Sequence, residues 1–383
     1  MKLAERYQKA QPSGMVKIFQ AIEKMDEVLN LGIGEPDFDT EHDIIDVAAR
    51  AAKDGFTHYP PLQGFLDVRE AVCAYWERHH GLNCSPEEVL MTVGGIQTPN
   101  LAMQALLNPG DEVILVEPCF TPYFTQVRDS GGAAVSVGTT EENGFAPTIG
   151  DLERVITPRT KILLLNSPCN PTGRVIPRGQ LEEIAALAAK HDLFVLSDEI
   201  YEALVYKGKH TAFPTLPGMR ERTLIMGGMS KSHCMTGWRV GYAIGPAELI
   251  RVMTMIATSR TYGLNTLAQK ATSYALTNHD EKLIERKNIF AERMDYVSGR
   301  LNKMKNVTCA FAEGAFYLFP NVKGTGLTSE AFVWKLLEES HVAAIPGSAF
   351  GPSGEGYLRI ACTQSMEILI QAMDRMETFL KNL

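Results

Sequence analysis

Four short apolar runs between residues 112 and 226 constrain the fold of this chain more than any other feature. They are Glu112-Val-Ile-Leu-Val-Glu117, Lys161-Ile-Leu-Leu-Leu-Asn166, Asp192-Leu-Phe-Val-Leu-Ser197 and Arg222-Thr-Leu-Ile-Met226. None alternates apolar with polar residues. Strands covered on both faces have this pattern, because neither face meets water. Helical patterns lie between them: Leu181, Ile184, Ala185 and Ala188 recur at i, i+3, i+4 and i+7. Strand-helix alternation of this kind predicts an α/β domain with a mostly parallel sheet flanked by helices.

The last hundred residues follow another rhythm. A long amphipathic helix is expected over 280–303, then short strands near 315–319 and 357–360, a helix over 329–339 and a final helix. This predicts a smaller α+β domain over 286–383, with 1–45 packing against it and 46–285 forming the large domain. A length of 383 residues at ~150 per domain agrees with two to three units. A cleft between domains is the default place for a small ligand.

Composition removes several classes. There are 37 basic and 45 acidic residues, a net charge of -8, which argues against a non-specific nucleic-acid binder or a polybasic membrane anchor. Seven cysteines, an odd number with no CxxC pair, argue against a disulfide framework and a cysteine zinc site. No HExxH occurs, and no metal is expected. The charged start, Met1 to Arg6, has no apolar segment of a secretory signal. The uncharged stretch from Val89 to Gly110 is interrupted by Asn, Gln and two prolines, so no membrane span is expected. The expected setting is a reducing cytoplasm.

In doubly wound sheets, ligands sit beyond the carboxyl ends of the strands. After the run ending at Leu165 comes Asn166-Ser-Pro-Cys-Asn170-Pro171-Thr172-Gly173. After the run ending at Leu196 comes Ser197-Asp198-Glu199-Ile200-Tyr201. After Met226 comes Gly227-Gly228-Met229-Ser230-Lys231, then Met235-Thr-Gly-Trp-Arg239. Three strand ends thus offer Asn, then Asp with Tyr, then Ser-Lys with Arg to one ligand.

Asn170-Pro-Thr-Gly173, Ser197-Asp-Glu-Ile-Tyr201 and Ser230-Lys231 followed by Arg239-Val-Gly-Tyr242 resemble the class I, fold-type-I aminotransferases that use pyridoxal phosphate. The resemblance spans nearly the whole chain. Asn30-Leu-Gly-Ile-Gly34-Glu-Pro-Asp-Phe38 is similar to their N-terminal substrate loop. His58-Tyr59 with Gly64 is similar to the segment that reaches a neighbouring subunit. Thr92-Val-Gly94-Gly95-Ile96-Gln97 resembles the phosphate loop, and Tyr357-Leu-Arg359 the strand that carries the substrate-carboxylate arginine.

The resemblance implies an enzyme moving an amino group from an L-amino acid to a 2-oxo acid in a ping-pong cycle, through a Schiff base on Lys231. Asp198 would lie against the pyridine nitrogen and make the ring an electron sink; otherwise it is a helix N-cap. Asn170 and Tyr201 would hydrogen-bond the phenolate oxygen, and Asn170 and Gly34 would meet the substrate. Arg239, Ser230 and the amides of Gly95 and Ile96 would hold the phosphate. Phe120 would stack on the ring. Tyr59 would donate to the phosphate of the partner in a homodimer, and Arg359 would take the substrate carboxylate. Gly228 stands where some relatives have a second phosphate-binding serine, and Cys234 where a small non-cysteine residue is usual. Arg260 is either a surface arginine or one that reaches a distal carboxylate in the partner. A carbon-sulfur β-lyase on the same fold and a non-catalytic regulator are the alternatives; a nicotinamide dehydrogenase lacks its glycine fingerprint here. A faint similarity points to enzymes of aromatic or acylated diaminopimelate substrates.

Overall fold

The structure is a computed structural model that describes residues 14–383. The charged start at Met1–Arg6 and the first residues of the expected N-terminal segment lie outside the described residues. The chain enters through helix α1 (Gly14–Ile22) and a two-residue strand β1 (Leu29–Asn30). Helices α2 (His42–Lys53) and α3 (Leu66–His80) follow.

A seven-stranded sheet then organises the large part of the chain. Its strands are β2 (Val89–Thr92), β3 (Glu112–Glu117), β4 (Ala133–Gly138), β5 (Thr160–Asn166), β6 (Phe194–Asp198), β7 (Thr223–Gly228) and β8 (Gly241–Ile244). The order across the sheet is β2-β8-β7-β6-β5-β3-β4. β3, β4, β5, β6 and β7 pair in parallel, and β8 pairs antiparallel to both of its neighbours. All four expected runs are strands. β2, β4 and β8 are additional: β4 lies at an edge with most residues exposed, and its small residues make no apolar run.

Both faces of the sheet are covered, which explains why its strands do not alternate. Ile162 and Leu164 enter one core cluster with Leu115, Leu196 and Leu224. Leu163 and Leu165 enter another with Val195 and Ile184, Ala185 and Ala188 of helix α7 (Arg178–Lys190), the expected stripe. Burying one such aliphatic side chain contributes about 1.5–3 kcal/mol. The intervening helices are α4 (Gln97–Leu106), α5 (Pro122–Asp129) and α6 (Ile149–Val155), with α8 (Ala247–Thr258) and α9 (Thr266–Asn278) after β8.

Helix α10 (Asp280–Leu301) links this body to the remainder. Its Leu283 packs with Val72 and Tyr242, whereas Met294, Val297 and Leu301 join the core of the C-terminal part. The expected division at 285/286 falls inside this helix. Beyond it come β9 (Tyr317–Leu318), α11 (Ser329–Ser340), β10 (Val342–Ala343), β11 (Ile345–Pro346), β12 (Leu358–Ala361) and α12 (Met366–Asn382). The order β11-β12-β9 is antiparallel, and β1 pairs in parallel with β10. Ile18 and Leu31 share the core of this part with Phe332, Ile345 and Met373. Leu358 and Ile360 of β12 point into that core, so strand alternation turns Arg359 to the opposite side.

Candidate active site

One cavity of roughly 430 Å³ collects almost every residue singled out above. Asn170 follows β5, Asp198 ends β6, and Ser230 and Lys231 follow β7, three neighbouring strands. Gly95 and Ile96 come from the turn between β2 and α4, Phe120 from the turn after β3, and Gly34 and Arg359 from β1 and β12 territory. Tyr201 and Arg239 complete the set. Tyr59 is not among them: it is 81% exposed, with its ring edge-on to Tyr262 at 5.0 Å. Arg260 is also outside, exposed and donating to Gln104 Oε1 at 2.6 Å. A larger groove of roughly 720 Å³ shares Glu35 and Thr236 with the cavity. Its lining has no lysine or arginine, so it is not built for an anion.

Asp198 is buried, and its neighbours are neutral donors. Tyr123 Oη donates to Oδ2, and the Ile200 N–H donates to Oδ1 at 3.1 Å. Burial pushes the Asp198 carboxyl up to about 7, although the Tyr123 hydrogen bond opposes the shift. No helix follows Asp198, so the N-cap alternative fails; the chain turns instead. Glu199 faces away and accepts from Ser197 Oγ at 2.7 Å and the Phe213 N–H at 3.1 Å, which fixes the strand end.

Lys231 Nζ donates to the Gly34 carbonyl at 2.6 Å. Burial first, then the Arg359 guanidinium, pulls its pKa down to about 8. Gly34 permits this approach because the chain there is tight: a Cβ would stand 2.0 Å from Tyr317 Oη. Tyr317 and Tyr201 hydrogen-bond through their hydroxyls at 2.9 Å.

Arg359 is 3% exposed. Nη1 donates to Asn170 Oδ1 at 3.0 Å, Nη2 donates to the Gly32 carbonyl, and Nε has no partner. Among the described residues no carboxylate pairs with it. Its guanidinium carbon sits 4.6 Å from the Tyr317 ring centre and 5.0 Å from that of Phe350, which offsets part of the cost of burial. A buried guanidinium with an unused donor and no carboxylate partner is costly to leave as it is.

The opposite end of the cavity places a second arginine, Arg239, beside a helix start. Gly94 takes φ +67° and Arg239 φ +51°, a conformation rare for arginine. A Cβ at Gly94 would stand 2.9 Å from Arg239 Nη2, so the glycine leaves room for the guanidinium beside the start of α4. Helix N-termini present free N–H groups to anions. Gly228 is equally constrained, since a Cβ there would meet Ile200 at 2.9 Å and the Gly241 backbone at 3.2 Å. Cys234 also has positive φ, +55°, and its carbonyl accepts from Thr40 Oγ1 at 2.7 Å.

Sequence reasoning missed Tyr123, Tyr317, Thr236, Met15 and Phe19 at this cavity or its walls. Tyr123 was within reach of the rule used for the other strands, because Thr121-Pro122-Tyr123 follows β3. Met15 and Phe19 carry no comparable signal.

A profile of the family described as aminotransferase class I and II matches residues 26–375. An aromatic-amino-acid aminotransferase 2 from Thermococcus litoralis is 40% identical over 385 residues, covering 100% of this chain and 99% of the relative. An aspartate aminotransferase from Pyrococcus abyssi is 40% identical, covering 100% and 99%. A solved structure, the aspartate aminotransferase from Thermus thermophilus with maleate, superposes with a TM-score of 0.94 at 37% identity, covering 99% of this chain and 100% of that one. The chain belongs to the class I and II aminotransferase family. It has that fold, and it is an aminotransferase.

Proposed function

We propose that this enzyme holds pyridoxal phosphate in the 430 Å³ cavity and passes an amino group from an L-amino acid to a 2-oxo acid in two half-reactions. The observation that carries the reading is a set of ionisable groups on one cavity wall that do not pair with one another. Asp198 and Arg359 are buried, Lys231 is partly so, and no ion pair joins them. Each is left for a ligand.

The residues present fit the cofactor. Gly95, Ile96, Ser230 and Arg239 would take its phosphate, and Phe120 would cover one ring face. Asp198 would face the ring nitrogen, and Asn170 and Tyr201 the ring oxygen. When bound, pyridoxal phosphate supplies an electron sink for the pair released at the substrate α-carbon and a carrier for the amino group. Lys231 Nζ anchors the cofactor and then, as a neutral amine, takes the α-proton and returns it on the other side of the transfer. Arg359 fixes the α-carboxylate with its fork, and Tyr201 and Tyr317 keep the wall behind it rigid.

The test of substrate capture is Arg359→Lys, which keeps charge and loses the fork. Charge-assisted hydrogen bonds contribute on the order of 1.5–3 kcal/mol each, so kcat/KM for an amino acid should fall by roughly one to two decades. The rate with the decarboxylated amine should stay close to that of the unmodified enzyme. An equal drop for both would mean that Arg359 supports the fold instead.

We also propose a homodimer in which Tyr59 donates to the partner's cofactor phosphate. Its 81% exposure, next to the 54% exposed Tyr262, supports an aromatic surface that a second copy covers. Light scattering at low concentration should report twice the chain mass of 42.2 kDa. A fully active monomer would contradict this. The proposed setting is the cytoplasm; among the described residues no helix is long and apolar enough to cross a membrane. The burial of Ile18 and Leu31 with the C-terminal core supports grouping the N-terminal segment with residues 286–383, and 46–285 as the cofactor domain.

A further inference from the structure

We infer that the amino acid this enzyme accepts carries a large apolar side chain, held against Met15, Phe19 and Ile33. The inference rests on the aminotransferase reading of the site. It starts from the charges in the cavity. The basic side chains in its lining are Lys231, Arg239 and Arg359. All three are already committed, Lys231 to proton transfer, Arg239 to the phosphate and Arg359 to the α-carboxylate. Among the described residues, a substrate with a second carboxylate finds no free cation in this lining, and it meets the Glu35 carboxylate, which also lines the cavity. Leaving a carboxylate unpaired in such a place is costly. Arg260 lies outside this cavity, exposed and donating to Gln104 Oε1.

The backbone shows where the side chain goes. Arg359 Nη2 donates to the Gly32 carbonyl and Lys231 Nζ to the Gly34 carbonyl. Residues 32–34 therefore run between the carboxylate grip and the proton-transfer amine. Ile33 sits between those two points and lines the cavity. Helix α1 supplies the facing wall. Ile18 is 1% exposed and packs into the C-terminal core, which fixes the rotation of the helix. Met15 and Phe19, at i and i+4, then share the face that borders the cavity. Gly14 brings this helix close to the body, with a Cβ position only 3.5 Å from Ala349 and 3.8 Å from Pro346. Three apolar side chains in one wall gain from a phenyl or branched alkyl group, by the ordinary removal of apolar surface from water. Methionine adapts its shape to either.

The test uses the pyridoxal phosphate form of the enzyme in two measurements. Calorimetry compares two unreactive acids, 3-phenylpropanoate and succinate. The aromatic acid should bind roughly 10–200-fold more tightly, with a negative heat-capacity change from apolar burial. Single-turnover transfer from L-phenylalanine, L-aspartate and L-alanine should rank phenylalanine first. Phe19→Ala should lower the phenylalanine-to-alanine ratio by roughly tenfold or more. Succinate binding as tight as 3-phenylpropanoate, or aspartate outpacing phenylalanine, overturns the side-chain inference and leaves the aminotransferase reading in place. No transfer from any of the three amino acids overturns both.

Discussion

Lys231→Ala should lower amino-group transfer by roughly 10²–10⁴-fold from lost proton transfer alone. The fold should survive, because Lys231 is only partly buried and its one hydrogen bond is to the Gly34 carbonyl. The native lysine is prepared for its work by its surroundings. Burial and the nearby Arg359 cation disfavour the ammonium, bringing its pKa to about 8. The reactive form is the neutral amine, so a lowered pKa raises reactivity at neutral pH. The neutral amine is therefore far more populated near neutral pH than for an exposed lysine, whose ordinary value is about 10.4. The rate at which cofactor-free protein captures pyridoxal phosphate should therefore rise with pH through about 8 and then level off. A rate that keeps rising to pH 10, as for an ordinary lysine, would contradict the desolvated environment.

Asp198→Asn should cost roughly 10²–10³-fold in turnover, the scale of removing one oriented electrostatic contact. The substitution keeps the shape, and its single carbonyl oxygen can still accept from Tyr123 or from the Ile200 N–H. Burial already pushes the Asp198 carboxyl up to about 7, so the charge is held at neutral pH only if a cation faces it. A protonated ring nitrogen is such a cation, and by reciprocity the carboxylate favours that protonation. Asparagine offers no charge in return. Cofactor retention should change little, because in the proposed reading Arg239, Ser230 and the start of α4 would hold the phosphate end. Near-normal turnover in the asparagine variant would remove the electron-sink role.

The sheet was legible because it is buried on both faces. Ile162 to Leu165 alternate between two cores, and that demand removes polar residues from the run. β4 was not legible for the converse reason: an exposed edge strand such as Ala133–Gly138 needs no apolar run. The site was legible where it sits at the ends of strands, at Asn170, Asp198 and Lys231. Residues brought in from elsewhere were not. Tyr123 opens a helix like many tyrosines, and its contact with Asp198 depends on where tertiary packing places the start of α5. Tyr317 lies in an expected strand, yet its place against Gly34 and Tyr201 comes from the C-terminal part folding over the sheet. Met15 and Phe19 reach the cavity only because Ile18 sets the rotation of α1. Local pattern encodes the first kind of position, and tertiary packing the second.

Peptide mass mapping after borohydride reduction of the protein supplied with pyridoxal phosphate tests the central claim most directly. A single reduced phosphopyridoxyl group on Lys231 is the predicted result. The same group on another lysine, or no adduct at all, would contradict the assignment of Lys231 as the residue on which the chemistry turns.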